Sequence, residues 1–444
     1  MILIHNAHIV NEERVFHGSV LIEGDSIADV FEGCVPQSLL DGAEVIEADD
    51  AILMPGVIDT HVHFRDPGFP EKADFSTESE AAVAGGVTSV LDMPNTKPQT
   101  TSVELWEEKM QMAEAKSYCN YGFYIGATNT NLEELKGADY TKICGVKLFL
   151  GSSTGGMLVN RGELIESIFR EVPALITVHA EDEAVISHNL EHFQKLYGAE
   201  IPIECHPQVR SAEACVKATE YAVSMAKRTG ARLHVAHLST EKELGLLENL
   251  PASEKRITAE TCPHYLYFTD LDYKRLGARI KCNPAIKSVS DRNGLLGALP
   301  TNKIDTIATD HAPHRLADKE GTLLKAASGM PSVQYSLPAM AELVQKGYLS
   351  LERMVRMMCH NPAIIYGIEK RGFIRKGYKA DLILLHREKS VVRAQNVLSK
   401  CGWSPYEGIE FSNKVVATII NGHVAYRDGA FYGRYAEPLT FKVR

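Results

Sequence analysis

The stretch VIDTHVHFRDPGFPEKADFSTESEAAVAGGVTSVLDMPN, residues 57–95, has the pattern of a strand, a helix and a second strand. Its two ends are apolar runs of the kind found in buried strands. Between them, Thr77 and Glu80 match a T-x-x-E capping box, and the pair Gly85-Gly86 ends the helix. Strands that alternate with helices predict βα units and a parallel sheet.

The alternation continues from Gly56 to about Gly367 and predicts eight strands. They are Val57 to Arg65, Val87 to Asn95, Tyr121 to Ala127, Gly145 to Leu150, Ala174 to Glu181, Arg232 to Ser239, Arg256 to Leu266 and Asp305 to Pro313. A long helix is predicted from Ser211 to Thr229, where Gly230 ends it. Eight such strands fit an α/β fold of the TIM type, a (βα)8 barrel, with a doubly wound open sheet as the alternative.

Both ends of the chain have a different sequence pattern, which predicts short strands and turns. The predicted terminal strands are Met1 to Val10, Gly18 to Ile22, Ser26 to Phe31, Glu44 to Ala48, Lys379 to Leu385, Val415 to Asn421 and His423 to Arg427. Because these two strand-rich segments flank a region in which strands alternate with helices, we predict that they form one small β-sandwich domain together. We therefore expect residues 1–54 and 368–444 to form this domain, and residues 55–367 to form the catalytic barrel.

The composition is that of an ordinary globular protein, since 45% of the 444 residues are hydrophobic and 23% are charged. The formal net charge is −10 and the chain has no basic block, so nucleic acid is not an expected partner. The start, MILIHNAHIVNEER, lacks the pattern of a signal peptide, and no run approaches the roughly 20 apolar residues of a membrane span. We expect a cytoplasmic protein that does not bind membranes. The nine cysteines form no C-x-x-C pair and are expected to be reduced.

Polar residues stand at the carboxyl ends of the predicted strands, where (βα)8 enzymes place their catalytic groups. They are His61, His63, Arg65, Asn95, Lys147, His179, His237, Asp310 and His314. His61 and His63 share one face of their strand and could bind one metal, although a lone H-x-H pair is more often structural. His179 and His237 end two further strands, and four such imidazoles predict a zinc site.

Asp310 and Lys147 extend this prediction. An isolated Asp after a strand is commonly a helix cap, but the position of Asp310 favours metal binding and proton transfer. An ammonium group is repelled by metal cations, so Lys147 must be neutral or chemically changed if it lies in the site. A neutral amine can add carbon dioxide, and the carbamate would supply an anionic bridge between two metals.

Six motifs resemble those of dihydroorotase, a cyclic-amide hydrolase of the amidohydrolase superfamily. They are HVHFRDPG (61–68), MPNT (93–96), GVKLF (145–149), VHAE (178–181), HLST (237–240) and DHAPH (310–314). The late segments SPYEG (404–408) and INGHVAYRDG (420–429) resemble the β domain of the same family. The H-x-H pair alone would also fit allantoinase, dihydropyrimidinase, urease-like and deaminase relatives.

The resemblance implies two Zn2+ ions per chain, one held by His61, His63 and Asp310 and the other by His179 and His237. Lys147, N-carboxylated by CO2, would bridge the two ions. Some dihydroorotases lack this lysine and use an Asp in the following loop. Here that loop, GSSTGGML (151–158), contains no carboxylate, which supports the lysine carbamate. The implied substrate contacts are Arg65, Asn95, Asn283 and His314.

The implied reaction is the reversible cyclisation of N-carbamoyl-L-aspartate to L-dihydroorotate plus water, a step of de novo pyrimidine (UMP) biosynthesis. A hydroxide would bridge the metals, and Asp310 would be the catalytic proton shuttle. The expected partner is thus a small-molecule substrate, and the resemblance also suggests a homodimer. Two segments depart from the family pattern: Ala285 replaces the second Pro of an NPP segment, and SGMPSVQYSLP (328–338) lacks the form G-x-x-G-x-E.

Two other functions remain open at this point. An allantoinase or hydantoin-cleaving enzyme would keep the metals but would not need a carboxylate fork such as Arg65 with His314. A non-catalytic subunit of a pyrimidine-pathway complex would have lost metal ligands, whereas all six positions are present. Three nearby residues are expected to lie outside the ligand set. We expect His264 to have a packing or supporting role, His311 to point away from Asp310, and Cys262 to be a small buried hydrophobe.

Overall fold

The computed structural model of the chain describes residues 1–151 and 157–443, and its strands form three groups. The amino-terminal strands are β1 (Ile2–Asn11), β2 (Arg14–Glu23), β3 (Ser26–Glu32), β4 (Glu44–Glu47) and β5 (Ile52–Pro55). The central strands are β6 (Val57–Val62), β7 (Val87–Asp92), β8 (Asn120–Phe123), β9 (Ile125–Gly126), β10 (Val146–Phe149), β11 (Leu175–His179), β12 (Arg232–Leu238), β13 (Ile257–Thr261) and β14 (Thr306–Ile307). The carboxyl-terminal strands are β15 (Leu382–His386), β16 (Ser390–Val391), β17 (Glu410–Phe411), β18 (Lys414–Ile420), β19 (His423–Arg427) and β20 (Ala430–Phe431).

The described residues form fourteen α-helices, and apart from α1 they all come after the first central strand. They are α1 (Gln37–Gly42), α2 (Phe75–Ala84), α3 (Val103–Lys116), α4 (Leu132–Gly137), α5 (Gly162–Glu171), α6 (Glu183–Tyr197), α7 (His206–Val209), α8 (Ala212–Thr229), α9 (Pro263–Tyr267), α10 (Tyr273–Leu276), α11 (Val289–Ala298), α12 (Ser336–Gln345), α13 (Leu351–Val355) and α14 (Asn361–Tyr366). Gly230 ends α8 as predicted, in the left-handed conformation, whereas Ser211, predicted as the first residue of the helix, is its N-cap. Within the described ranges, no helix has both the length and the apolar character that a membrane crossing requires.

The central strands form a closed parallel barrel. Pairing runs through β6, β7 and β8 and then from β9 through β14, with β8 and β9 acting as one strand interrupted at Tyr124. The barrel closes where Val62 bridges His311, and the His63 amide donates a hydrogen bond to the His311 carbonyl at 2.7 Å. The predicted fold class is therefore confirmed. A doubly wound sheet is excluded because it would leave its first and last strands as open edges.

Several predicted element bounds differ from those observed, and two of the differences have local reasons. The strand predicted to reach Leu266 stops at Thr261, because Pro263 cannot donate to a ladder and instead opens α9. The helix predicted to be capped by Thr77 begins earlier. Asp74 is its cap and accepts from the Thr77 amide at 3.0 Å, so Thr77 lies inside the first turn.

The two chain ends share one nine-stranded sheet in the order β20-β19-β18-β15-β5-β1-β2-β3, with β4 beside β1. Strand β5 connects the halves, since it pairs in parallel with β1 and antiparallel with β15. Alternate residues of β15 face opposite sides, so Leu382 and Leu384 fill the core of the β domain while Ile383 and Leu385 join the core of the barrel. The exact domain bounds, at 54/55 and 367/368, stay predictions.

A buried polar cluster also joins the β domain to the barrel. Asp381 accepts hydrogen bonds from the Arg371 guanidinium and, at 2.9 Å, from the Asn421 backbone amide. Asn120 on barrel strand β8 donates to the same carboxylate at 3.2 Å and accepts from the Asn421 side chain at 2.8 Å. All four residues are buried, and each satisfies part of the hydrogen-bonding capacity of the others, while Arg371 also pairs with Glu437 at 3.0 Å.

Asp381→Ala should therefore lower the free energy of unfolding by roughly 3 kcal/mol, because it removes the buried partner of a buried charge. The midpoint of urea unfolding measures the loss. Asp29→Ala is the matched control, since Asp29 is 48% exposed and lies 3.7 Å from Lys376; it should cost less than about 1 kcal/mol. Equal midpoints for the two variants would contradict the stabilising role of the cluster.

Candidate metal centre and active site

The carboxyl ends of the barrel strands surround one polar pocket. Its lining residues are His61, His63, Arg65, Asn95, Lys147, Phe149, His179, His237, Asn283, Asp310, Ala312, Ser328 and Gly329. The structure thus brings together nine of the ten predicted site residues. The tenth, His314, adjoins the pocket through Arg65, whose Nη2 lies 3.1 Å from His314 Nε2. Phe149, Ala312, Ser328 and Gly329 were not predicted.

One group of metal-binding atoms comes from His61, His63 and Asp310, whose candidate ligand atoms all lie within 4.8 Å of one another. Asp310 Oδ1 is 3.3 Å from His61 Nε2 and 3.1 Å from His63 Nε2. Burial lowers the pKa of His63 to about 3, which favours the neutral imidazole that binds metals. Burial alone would raise the pKa of Asp310, but the two imidazoles outweigh it and hold that pKa well below its usual range. Two nitrogens and one carboxylate oxygen suit a divalent cation such as zinc.

A second group adjoins the first. His179 Nδ1 and His237 Nε2 face each other at 2.9 Å, and the His237 ring centroid is 5.3 Å from that of His61. Burial lowers the pKa of both His179 and His237, so these imidazoles are also held in the metal-binding form. The two facing nitrogens, like the first group, fit a cation between them.

Lys147 lies in the same pocket and is 1% exposed. Its Nζ has no hydrogen-bond partner within residues 1–151 and 157–443, and burial lowers its pKa to about 8. A buried ammonium without a partner is costly, so this atom fits a chemically altered amine better than a free cation. The loop used above to support the carbamate lies partly outside the described residues, at 152–156.

Glu260, which sequence reasoning missed, orients the first ligand group. Its carboxylate lies 2.6 Å from His61 Nδ1 and 3.2 Å from His234 Nε2, and it accepts from the Thr60 hydroxyl at 3.0 Å. The bond to Nδ1 fixes the His61 tautomer, so Nε2 is left to face Asp310. One signal could have identified Glu260, namely a lone carboxylate within the buried strand ITAET.

Glu181 plays the corresponding part for the second group. It lies 2.9 Å from His179 Nε2 and also accepts from the Arg210 guanidinium. Burial opposes ionisation of Glu181, but Arg210 and His179 outweigh it and lower the pKa of this carboxyl to about 2. An ionised Glu181 keeps the His179 Nε2 proton in place, so that Nδ1 is free to bind a cation.

Arg65 forms the far end of the pocket and is only 4% exposed. Its Nε donates to the Pro313 carbonyl at 3.1 Å, and no carboxylate of the described residues lies within ion-pair distance. Burial lowers the pKa of Arg65 only to about 10, so the group stays cationic at neutral pH. His314 beside it is kept neutral, because burial and the Arg65 charge lower its pKa. An anionic ligand would complete this end of the pocket.

The two asparagines differ in their surroundings. Asn95, predicted as a substrate contact, accepts from His63 Nδ1 through its Oδ1 at 2.8 Å and so orients a ligand of the first group. The Oδ1 atom of Asn283 is buried and, within the described ranges, has no hydrogen-bond partner. Asn283 therefore retains an acceptor for a ligand in the pocket.

Three site residues have a left-handed backbone conformation, which residues other than glycine rarely adopt. The φ angle is 69° at Arg65, 41° at His237 and 47° at Asp310. Such conformations cost on the order of 1–3 kcal/mol each and persist where the surrounding structure determines them. Their concentration at the strand ends marks this pocket as the functional part of the barrel.

The three residues expected outside the ligand set lie as follows. His264 is fully buried on α9, and neither ring nitrogen has a partner among the described residues. His311 points away from the pocket and lies 2.7 Å from Glu78. Cys262 is fully buried, and burial raises the pKa of its thiol well above the usual value.

Comparisons with known proteins show to which family the chain belongs. The sequence model of the amidohydrolase family matches residues 52–425. A dihydroorotase from Methanosarcina acetivorans is 33% identical over 419 residues, covering 92% of this chain and 88% of the relative. An allantoinase from Bacillus velezensis is 30% identical over 411 residues and 90% of each chain. The solved structure of an L-hydantoinase (dihydropyrimidinase) from Arthrobacter aurescens superposes with a TM-score of 0.92 at 28% identity over 99% of each chain.

Glu260→Gln should weaken metal binding about 10- to 100-fold, because a neutral amide holds the His61 tautomer less firmly than a carboxylate does. Metal content after dialysis against graded chelator measures the change. Asp305→Asn is the matched control, a buried carboxylate paired with Lys255 at 2.8 Å at the amino end of β14. If both variants lose metal at the same chelator concentration, Glu260 has no special role in the centre.

Proposed function

The chain belongs to the amidohydrolase family and is a hydrolase of cyclic amides, and we propose that it is a dihydroorotase. The reaction would be the reversible closure of N-carbamoyl-L-aspartate to L-dihydroorotate plus water, in the cytoplasmic synthesis of pyrimidines. The observation that carries this choice is Arg65, a buried guanidinium at the end of the pocket without a carboxylate partner in the described structure. The α-carboxylate of this substrate would be the anion that Arg65 lacks. The homodimer remains a prediction.

We assign two divalent cations, zinc by the nature of the donors, to the two ligand groups. One cation would be held by His61, His63 and Asp310, and the other by His179 and His237. N-carboxylated Lys147 would be a ligand of both cations. The Lys147 amine, which has no hydrogen-bond partner among the described residues, supports this, since addition of CO2 to the ammonium group with loss of two protons would turn a buried cation into an anion. When bound, the cations would supply Lewis-acid activation of the amide carbonyl and of water.

The residues of the chain have separate tasks in ring opening. Water adds to the amide carbonyl carbon, and the bond from that carbon to the ring nitrogen breaks. Asp310 takes the proton of the attacking water and delivers it to the departing nitrogen, and ring closure runs through the same steps in reverse. The lowered pKa of Asp310 keeps it ionised and ready to accept this proton.

Arg65 and His314 would hold the α-carboxylate, and the amide bond would then face Asp310. The Oδ1 atom of Asn283 offers an acceptor to a ring N–H group. Substrates without a carboxylate, such as allantoin and hydantoins, would leave the charge of Arg65 buried and unpaired. A site with an unpaired buried charge discriminates strongly against such analogues.

Lys147→Ala should lose metal and activity together, because four neutral imidazoles lack the negative bridge that two adjacent cations need. Metal analysis and turnover of dihydroorotate measure the two effects. Small carboxylic acids should partly restore turnover by occupying the vacated position. Lys142→Ala, in which the replaced side chain is 67% exposed, is the control and should behave like the parent. Two tightly bound metals and full activity in Lys147→Ala would overturn the carbamate assignment.

Arg65→Met should keep its metals but lower kcat/KM for dihydroorotate by about 100-fold or more, equivalent to about 3 kcal/mol for a lost buried charge pair. Arg275→Met, at a position with a 64% exposed side chain, should have little effect. Dihydrouracil, hydantoin and allantoin are assayed beside dihydroorotate with the unaltered enzyme. If any of these uncharged compounds is turned over as well as dihydroorotate, the substrate assignment is wrong.

A further inference from the structure

We propose that Lys319 is a positioning residue that fixes one wall of the substrate pocket by tying down residues 321–330. This segment ends in Ser328, Gly329 and Met330, and the first two line the pocket. Only the choice of substrate for the test rests on the proposed function. The structural role itself is argued from contacts that hold for any substrate of the pocket.

Lys319 is 4% exposed, and its ammonium group makes contact with backbone carbonyls alone. The Nζ atom donates to the carbonyls of Lys281 at 2.9 Å, Ala327 at 2.7 Å and Gly329 at 2.6 Å. An ammonium has three N–H donors, and all three are used. Among the described residues no carboxylate lies within ion-pair distance. The ammonium therefore links the backbone at Lys281 to the 321–330 segment and does not form a salt bridge.

Lys281 makes a second tie to the same segment. Its side chain donates to the Leu323 carbonyl at 2.7 Å and to the Ala326 carbonyl, while its own carbonyl accepts from the Gly329 amide at 2.9 Å. Lys281 stands two residues before Asn283. The two lysines thus hold the segment in a fixed position relative to the loop that carries Asn283.

The segment packs directly on the chain that carries Asp310 and His314. Gly329 has φ of +127°, and a Cβ atom there would lie 2.6 Å from the Ala312 carbonyl oxygen and 3.2 Å from His314 Cδ2. The Ser328 carbonyl oxygen lies 3.0 Å from His314 Nε2. A shift of the segment would therefore move His314, and with it the surroundings of Arg65. Errors of about 1 Å in such positions can cost 100-fold in rate.

Loss of Lys319 should act on substrate binding more than on chemistry, because no metal-binding residue or proton-transfer group is among its contacts. Lys319→Met should raise KM for dihydroorotate at least tenfold and change kcat less than threefold, with the metal content of the parent. In Lys319→Ala, propylammonium chloride should lower KM towards the parental value, because the free ammonium can occupy the carbonyl cluster. Lys319→Met should not respond to propylammonium, since its side chain fills the space.

Lys255→Met is the matched control for loss of stability. Lys255 is also buried, but it pairs with Asp305, which directly precedes β14, whereas the pocket lies at the carboxyl ends of the barrel strands. This variant should unfold more easily than the parent and yet keep the parental KM. If its KM rises as much as that of Lys319→Met at a similar loss of stability, the positioning role is overturned. Failure of both Lys319 variants to fold would overturn it as well, in favour of a purely structural role.

Hydrogen exchange provides a readout that does not depend on the substrate. The amides of Leu323, Ala327 and Gly329 are hydrogen-bonded in the tied segment. In Lys319→Met they should exchange at least tenfold faster than in the parent, whereas Lys255→Met should leave them unchanged. If dihydroorotate is not turned over by the parent, the proposed function fails but this comparison still decides the role of Lys319. Unchanged exchange of these amides in Lys319→Met would overturn the proposal.

Discussion

The hydrogen bond from the His63 amide to the His311 carbonyl closes the barrel, and the site depends on that closure. His61 lies in the first barrel strand and His63 directly follows it, whereas Asp310 follows the last strand. In an open sheet these residues would stand at opposite edges. Closure places the Asp310 carboxylate between the two imidazoles, so one ladder contact determines both the architecture and the first ligand group.

Burial in the barrel sorts the charged groups into two kinds. Glu260, Glu181 and Asp381 each meet imidazole, guanidinium or amide partners, and they orient or join other parts of the molecule. Lys147 and Arg65 are as deeply buried, but the described residues offer them neither an acidic partner nor the set of three backbone carbonyls that binds the Lys319 ammonium group. Because an unpaired buried charge is costly, these two positions are where a cofactor or substrate contributes most. The presence or absence of protein partners thus separates residues that maintain the pocket from residues that can bind a ligand in it.

Much of the site could be predicted because its signals are local in sequence. A strand that ends in H-x-H, or in DHAPH, shows its polar residues at the point where a barrel strand meets the pocket. Glu260 was missed because its partners, His61 and His234, come from other strands. Lys319 was missed because its partners are backbone carbonyls, which any residue type provides, so no sequence pattern indicates them. Strand β5 was missed for a similar reason. Its four residues, Ile52–Pro55, are defined by pairing with β1 and with β15, about 330 residues later.

The β domain formed from both chain ends has a consequence for synthesis on the ribosome. Strands β1, β2 and β3 can pair soon after they emerge, but β5 has no partner on its other side until β15 has been made. During that interval the whole barrel is translated while one edge of the nascent sheet stays open. An open edge readily pairs with other chains. Strand β15, which is translated after the barrel, therefore covers the edge of β5 that was open until then.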